Sequence, residues 1–506
     1  MAAFVTDQFR ILNASNFIDS ISDSNNSYYA FLGLVNPEPA DVGFGRTENW
    51  DTNIPNPVDN SRYLSHYRDT SLFGKKITES NAVRVVRKIE WVQNNAYDMY
   101  RHDYDSNNQA PVSKSYRLYD ANYYVITSAF RVYICIDNGS SGSSDPKVSI
   151  VEPTQTTPNV QYETDGYAWK YLFSINPSDV IKFDSTEYIP LPNNWETNPE
   201  TQTVRESGDP EINNNQIKKV FIKNGGSGYQ AGKVDILGDG EGGKVDIEVD
   251  SNGTITNVSI ADGGRNYTYG VIDYSNLGSD GSNGADLIPI IPPSIGHGYD
   301  IYKELGADKV LLYARFDDSN RDFPVDTQFC QIGIMKNPVG FQTTSVLQSN
   351  TFSSLYAAVL NTSPVLNPGD EMTQVQTSTS SVAKGYVASF DSETKVLKYY
   401  QDRSLVFGNG SDQSDNPDIN NLTQFNSSDS IAISGQEPAV TVDTTVTNTS
   451  VITVGTKQID TGVQFSSGLA NPEINKKTGD ILYIDNRPVV KRDSRQKEDI
   501  KIILEF

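Results

Sequence analysis

The sequence predicts a mainly β fold, α+β at its N-terminus, with two small β modules inserted into the core. Three observations carry this. Glycine occurs 37 times and proline 24 times in 506 residues, beside many Asn, Ser and Thr, which suits many short strands joined by turns. Apolar side chains alternate in Tyr167-Ala-Trp-Lys-Tyr-Leu-Phe-Ser-Ile175, the period of a strand with one buried face. A strand-and-glycine pattern beginning at Lys219 returns 38 positions later at Asn257.

Taken in order, residues 1–205 read as the N-terminal part of the core. Asn13–Ser22 predicts a short helix, capped by Ser15 or Asn16, with Phe17, Ile18 and Ile21 on one face. A polar, proline-marked loop follows through Asn36–Asn56. Val83–Trp91 and the long Tyr123–Ile136 run predict strands. In Tyr167–Ile175 the Tyr167, Trp169, Tyr171, Phe173 and Ile175 face must be buried, because five such side chains in water would form a large apolar patch. The opposite face, with Lys170 and Ser174, is expected to be partly wet.

Residues 211–290 form a glycine-repeat β insertion. Lys219-Val-Phe-Ile-Lys-Asn-Gly-Gly-Ser-Gly-Tyr229 and Asn257-Val-Ser-Ile-Ala-Asp-Gly-Gly-Arg-Asn-Tyr267 are its equivalent halves. The Gly-Gly pairs are expected to supply positive φ at a tight bend, with Tyr229 and Tyr267 packed over it. Residues 291–340 return to core strands, Lys309–Phe316 and Gln328–Met335. Residues 341–470 hold 17 charged residues and 37 Ser or Thr in 130; strand patterns within them favour a second β insertion over a solvated linker. Gly385–Tyr400 predicts a hairpin turning at Asp391–Thr394, and Gly408–Ser428 a mobile loop. Residues 471–506 predict a C-terminal core hairpin: strand Asp480–Ile484, turn Asp485–Pro488, and strand Asp499–Phe506 with Ile500, Ile502, Leu504 and Phe506 on one face.

Composition excludes several functions. The net charge is −23, which opposes binding to nucleic-acid phosphates or to anionic membranes. No apolar run approaches the roughly 18 residues of a spanning helix, so no membrane insertion is expected. The first ten residues lack the basic start and apolar stretch of a leader. Cys135 and Cys330 lie in strand-like runs without metal or redox spacing and read as small buried side chains.

The chemistry-bearing candidates are few. His102, beside Asp103 and Asp105, suits a general base or metal ligand by residue type. The bland alternative, a tyrosine-rich loop at a subunit contact formed by Tyr97, Tyr100, Arg101, His102, Asp103 and Tyr104, is preferred, since Tyr and Arg are enriched at interfaces. The loop Asn36–Asn56 is a second expected contact. His297, between Gly296 and Gly298, reads as a loop histidine. Asp235, Asp239 and Glu241 surround a glycine turn and offer at most a weak calcium site. No zinc-protease, nucleophile-elbow or phosphate-loop motif occurs. No catalytic residue, metal or cofactor is assigned.

The ends of the chain carry a further pattern. Val5-Thr-Asp-Gln-Phe-Arg10 and Asn16-Phe-Ile-Asp-Ser-Ile21 precede Gly166-Tyr-Ala-Trp-Lys-Tyr-Leu-Phe173. Gln331-Ile-Gly-Ile-Met-Lys-Asn-Pro338, Ile481-Leu-Tyr-Ile-Asp-Asn-Arg-Pro488 and Ile500–Phe506 follow in the same order. This set resembles the baseplate wedge subunit encoded by gene 8 in T-even-type contractile-tailed phages, over residues 1–200, 290–340 and 472–506. The resemblance implies a layered β-sandwich, a homodimer bridging other wedge proteins in the virion's tail baseplate after assembly in the host cytoplasm, and no catalysis. The two insertions depart from the pattern. A β-rich tailspike that binds or cuts polysaccharide is the alternative, and its mark would be a long parallel β-helix.

Overall fold

The structure, a computed structural model, describes residues 5–37, 45–140, 145–208, 215–278, 283–317, 323, 327–403, 422–493 and 496–506. The fold is mainly β, about 40% strand and 12% helix. The strand pairs whose register is defined run antiparallel, and parallel β-helix rungs are not among them. The chain forms two compact units, each from separate stretches of sequence. The first comprises Met1–Ile18, Val83–Leu311 and Ile502–Phe506; the second comprises Asp19–Ala82 and Leu312–Lys501. The glycine-repeat segment lies within the first and the Ser/Thr-rich segment within the second.

In the first unit, one sheet has the order Tyr124–Ile126, Arg131–Asp137, Ala168–Ser174, Val160–Tyr162. Of the predicted face, Tyr167, Trp169, Phe173 and Ile175 are buried and Tyr171 is half-buried, while Leu172 on the opposite face is buried; the Tyr167 and Trp169 rings stack with centroids 5.4 Å apart. The Tyr123–Ile136 run is two strands, because Phe130 takes φ 56° and closes a turn in which its amide donates to Thr127 O. On the face expected to be partly wet, Ser174 is exposed but Lys170 is buried: its Nζ donates to Pro158 O at 2.6 Å and to Ser207 Oγ at 2.8 Å.

The glycine module is a four-stranded sheet, Ile255–Asp262, Lys244–Val249, Gly232–Gly238, Gly270–Ile272, beside the pair Val220–Gly225 and Ala285–Pro289. Its two halves match in detail. Gly226 and Gly264 both have φ +60°. A Cβ on either would come within 2.7 Å of backbone, and within 2.7 Å of the Tyr229 or Tyr267 ring respectively. Only glycine combines that φ with that approach.

In the second unit, a five-stranded sheet runs Thr351–Ser353, Ser71–Ile77, Tyr28–Gly33, Gln328–Lys336, Asp480–Lys491. All six residues of Tyr28–Gly33 are buried, as expected of a central strand covered on both faces. A seven-stranded sheet contains the predicted hairpin, Val382–Asp391 with Val396–Tyr400. Asp480–Lys491 continues through Arg487-Pro488 as one strand, pairing with Gln328–Lys336, so the turn expected at Asp485–Pro488 is absent. Glu498–Glu505 belongs to a different sheet; the two final strands are not a hairpin. Within the latter, Ile500 and Ile502 are buried, as predicted.

The N-terminal helix spans Asp7–Ser22, longer than predicted, with Ile11, Ala14, Ile18 and Ile21 along its buried face. The missed signal is Thr6, whose Oγ1 accepts from the Phe9 amide at 3.3 Å, an N-cap ahead of Asp7. The loop predicted at Gly408–Ser428 lies outside the described residues as far as residue 421, as do residues 38–44 of the proline-marked loop.

Candidate functional site

The Tyr97–Asp105 loop is ordered by Asp98, which accepts from the amides of Val112, Ser113 and Asn122 at 2.8, 3.1 and 3.0 Å. Of the six predicted contact residues, Tyr97, Tyr100, Arg101 and Tyr104 are buried in their own unit, so they serve this chain's core. The Tyr97 ring meets Trp169 edge-on, and the Tyr104 hydroxyl donates to Met99 O at 2.9 Å. Arg101 lies 4.1 Å from the Phe221 ring centroid and binds Asp103 through two hydrogen bonds of 2.9 and 2.6 Å. Burial opposes ionisation of Asp103, but Arg101 outweighs it and holds the carboxyl below its ordinary value. What the loop turns outward is exposed His102, half-buried Asp103 and exposed Asp105. They do not converge: His102 Nδ1 accepts from the Ile291 amide at 3.2 Å, and Asp105 accepts from the amides of Asn107 and Asn108.

His297 sits in the core. Its Nδ1 lies 2.5 Å from Glu304 Oε1, so the imidazole N–H donates to the carboxylate, while the Gly298 amide donates to Oε2 at 2.6 Å. Glu304 is presented by helix Ile301–Leu305, which begins at the Asp300 cap and ends at Gly306 with φ 69°. Both partners are buried, and Tyr100 meets the imidazole edge-on at 4.7 Å. Carboxylate, imidazole and loop amide thus satisfy one another and tie the 296–300 loop to the helix.

The carboxylates suggested for calcium point to different partners. Asp235 pairs with Lys244 at 3.4 Å, Glu241 with Arg265 at 2.7 Å, and Asp239 accepts from the Thr268 and Tyr269 amides and the Thr268 hydroxyl. These bonds hold Asp239 down to about 2. Among the described residues, no group of three or more His, Cys, Asp or Glu could hold a metal ion. Cys135 and Cys330 are free and buried. No helix among these residues is long and apolar enough to cross a membrane.

One concave site in the second unit was not singled out in the sequence. Helix Ser61–Asp69 starts at Asn60, whose side chain accepts from the Arg62 and Tyr63 amides, and its last turn buries His66 and Asp69. His66 Nδ1 and Asn36 Nδ2 each lie 2.6 Å from Asp402 Oδ2. The next residue, Arg403, donates from Nε and Nη2 to the two Asp69 oxygens at 2.7 and 3.0 Å, and from its amide at 2.9 Å. Lys476 Nζ donates to Asp69 O at 2.6 Å and lies 5.7 Å from the Tyr356 ring centroid. Burial lowers this ammonium to about 8 against the pull of Asp69 and Asp402. Arg403, Lys476 and Lys477 line a cavity of about 310 Å³ together with Asp69 and the amides of Gln424 and Asn475. Among the described residues that line it there is no nucleophile–base pair. Its parts are hundreds of residues apart in the chain, so no local spacing announces it.

No family model matches this chain, and no curated protein matches it.

Proposed function

We propose that this chain is a structural subunit of the baseplate wedge of a contractile phage tail, a homodimer that links neighbouring wedge proteins and catalyses nothing. The observation that carries the reading is where the resembling segments fall. Asn16–Ile21 lies in the N-terminal helix. Tyr167–Phe173 lines the core of the first unit, and Gln331–Lys336 pairs with both Tyr28–Gly33 and Asp480–Lys491 in the second. The ordered motifs are thus framework elements, the parts by which a structural family resembles itself. Support also comes from the candidate catalytic groups, which are engaged by neighbours within their own units. Large apolar side chains remain outside: Phe9 and Leu12 on the helix, and Leu237 directly opposite Val271 in the glycine module. Such groups suit a protein that works by contact.

The mechanism is mechanical. β units present surfaces that hold neighbours in one arrangement before contraction and another after it, which needs interfaces with two packings of similar free energy. A net charge of −23 keeps the free subunit soluble before assembly.

Light scattering after gel filtration tests the dimer: a mass near 112 kDa (2 × 55.9) is expected. A mass near 168 kDa (3 × 55.9) points instead to a trimeric spike. Mixing with the other wedge proteins of the same tail should then yield a larger co-eluting complex; persistent separate elution overturns the assignment.

A further inference from the structure

We propose that Lys218 is a modification site: its amine takes up carbon dioxide as a carbamate, which pairs with the buried Lys170 ammonium and clasps the glycine module to the core sheet of the first unit. This does not rest on the baseplate reading.

Geometry is the first argument. Lys170 lies within strand Ala168–Ser174 and is fully buried. Two of its three N–H donors go to neutral acceptors, Pro158 O and Ser207 Oγ, and it makes no third bond among the described residues. Glu304 acts on it through space, but both oxygens of that carboxylate are engaged elsewhere, by His297 Nδ1 and by the Gly298 amide. Lys218 is half-buried, two residues ahead of strand Val220–Gly225 of the glycine module. Among the described residues its amine has neither a hydrogen bond nor an ion pair, and the charge acting on it is that of Lys170. The next residue, Lys219, already ties this end of the module to Asp137 of strand Arg131–Asp137.

Chemistry is the second argument. Burial opposes charge on both amines, and each ammonium repels the other. Lys218 yields its proton first: burial and the Lys170 charge lower it to about 7. About half of it is then free amine at neutral pH, against roughly one part in three thousand for an ordinary lysine. A desolvated amine beside a second cation is a nucleophile. Its nitrogen lone pair attacks the carbon of carbon dioxide. A C–N bond forms, one C=O electron pair moves onto oxygen, and one N–H proton leaves to solvent. The product carries one negative charge where a positive charge stood. Repulsion between two cations becomes an ion pair, and the carbamate oxygens supply the acceptor that the Lys170 ammonium lacks.

The test uses the full chain in 13C-labelled bicarbonate at neutral pH. Carbamates are trapped by alkylation and mapped by mass spectrometry of peptides. The trapped carboxyl is expected on Lys218 at more than about tenfold its occupancy on an exposed lysine such as Lys457. Lys170→Met should lower the Lys218 occupancy about tenfold or more, the worth of a charge-assisted hydrogen bond. A second measurement does not depend on that buried variant folding. Bicarbonate, against chloride at matched ionic strength, should raise the melting temperature of the parent protein but not of Lys218→Arg, which keeps the charge and loses the nucleophile. Lys218 labelled no more than Lys457, an occupancy unchanged in folded Lys170→Met, or a melting temperature that responds equally in the parent and Lys218→Arg overturns the proposal.

Discussion

At the scale of the residue, the molecule places charge where its sequence does not announce it. Asp69 is buried and held by Arg403 through three hydrogen bonds. Removing one partner of such a pair strands the other, so Arg403→Met is expected to cost about 3–5 kcal/mol, read from the urea midpoint. Lys170 and Lys476 give a pH signature. Burial lowers each from 10.5 to about 8 in the folded protein, so between those values the unfolded chain binds more protons. Stability therefore rises as pH increases from about 8 toward 10. Above the ordinary tyrosine value of 10.0 the sign reverses, since Tyr29 and Tyr119 are pushed by burial to about 12 and the unfolded chain loses their protons first. Urea midpoints from pH 7 to 11 should pass through a maximum, and Lys170→Met should flatten the rise. Arg101 illustrates the limit of residue-level reading. Tyr and Arg in a polar loop predict a contact surface, yet Arg101 lies over Phe221 inside its own unit. Reversing its charge should therefore lower stability as well as alter any contact.

At the scale of the element, alternation and glycine placement were legible and long-range closure was not. The Gly385–Tyr400 hairpin and the burial of Tyr167, Trp169, Phe173 and Ile175 follow from period two, whereas the half-exposed Tyr171 and the buried Leu172 depart from it at a register shift. The glycine repeat is legible in finer detail, because a positive φ beneath a tyrosine ring demands glycine twice, at Gly226 and Gly264. Gly264→Ala should cost about 1–3 kcal/mol from backbone strain alone, and more because the new methyl would stand 2.6 Å from the Gly243 nitrogen. The measurement is thermal unfolding followed by circular dichroism, with loss of the module's strand signal ahead of the remainder. Where propensity misled, pairing decided. Asp485-Asn-Arg-Pro488 has turn composition, but Gln331, Ile332 and Gly333 pair with Asn486, Asp485 and Ile484 and keep the backbone extended. Lys170 looks like a wet position on a one-sided strand until Val160 pairs across it and Ser207 reaches its ammonium.

At the scale of the whole molecule, each unit is assembled from separate stretches of chain. The last five residues, Ile502–Phe506, belong to the first unit: Ile502 is buried, the Phe506 ring lies 5.4 Å from that of Phe17, and the Phe506 amide donates to Asp308 O. Deleting Ile502–Phe506 is thus expected to act as a core mutation, lowering the melting temperature by several degrees or leaving the chain insoluble; an unchanged melting curve would refute it. The sequence by itself determined the mainly β class, the strands with strict alternation, the twofold glycine module and the burial of both cysteines, because each depends on local stereochemistry or on one face of one element. It also carried the ordered motifs behind the baseplate reading. Only the tertiary structure decided which strands pair, which charges are buried, and that His66 meets Asp402 while Arg403 and Lys476 meet Asp69. The physical reason is that a buried charge is tolerated only where a partner satisfies it, and here the partners are brought by folding from more than 300 residues away.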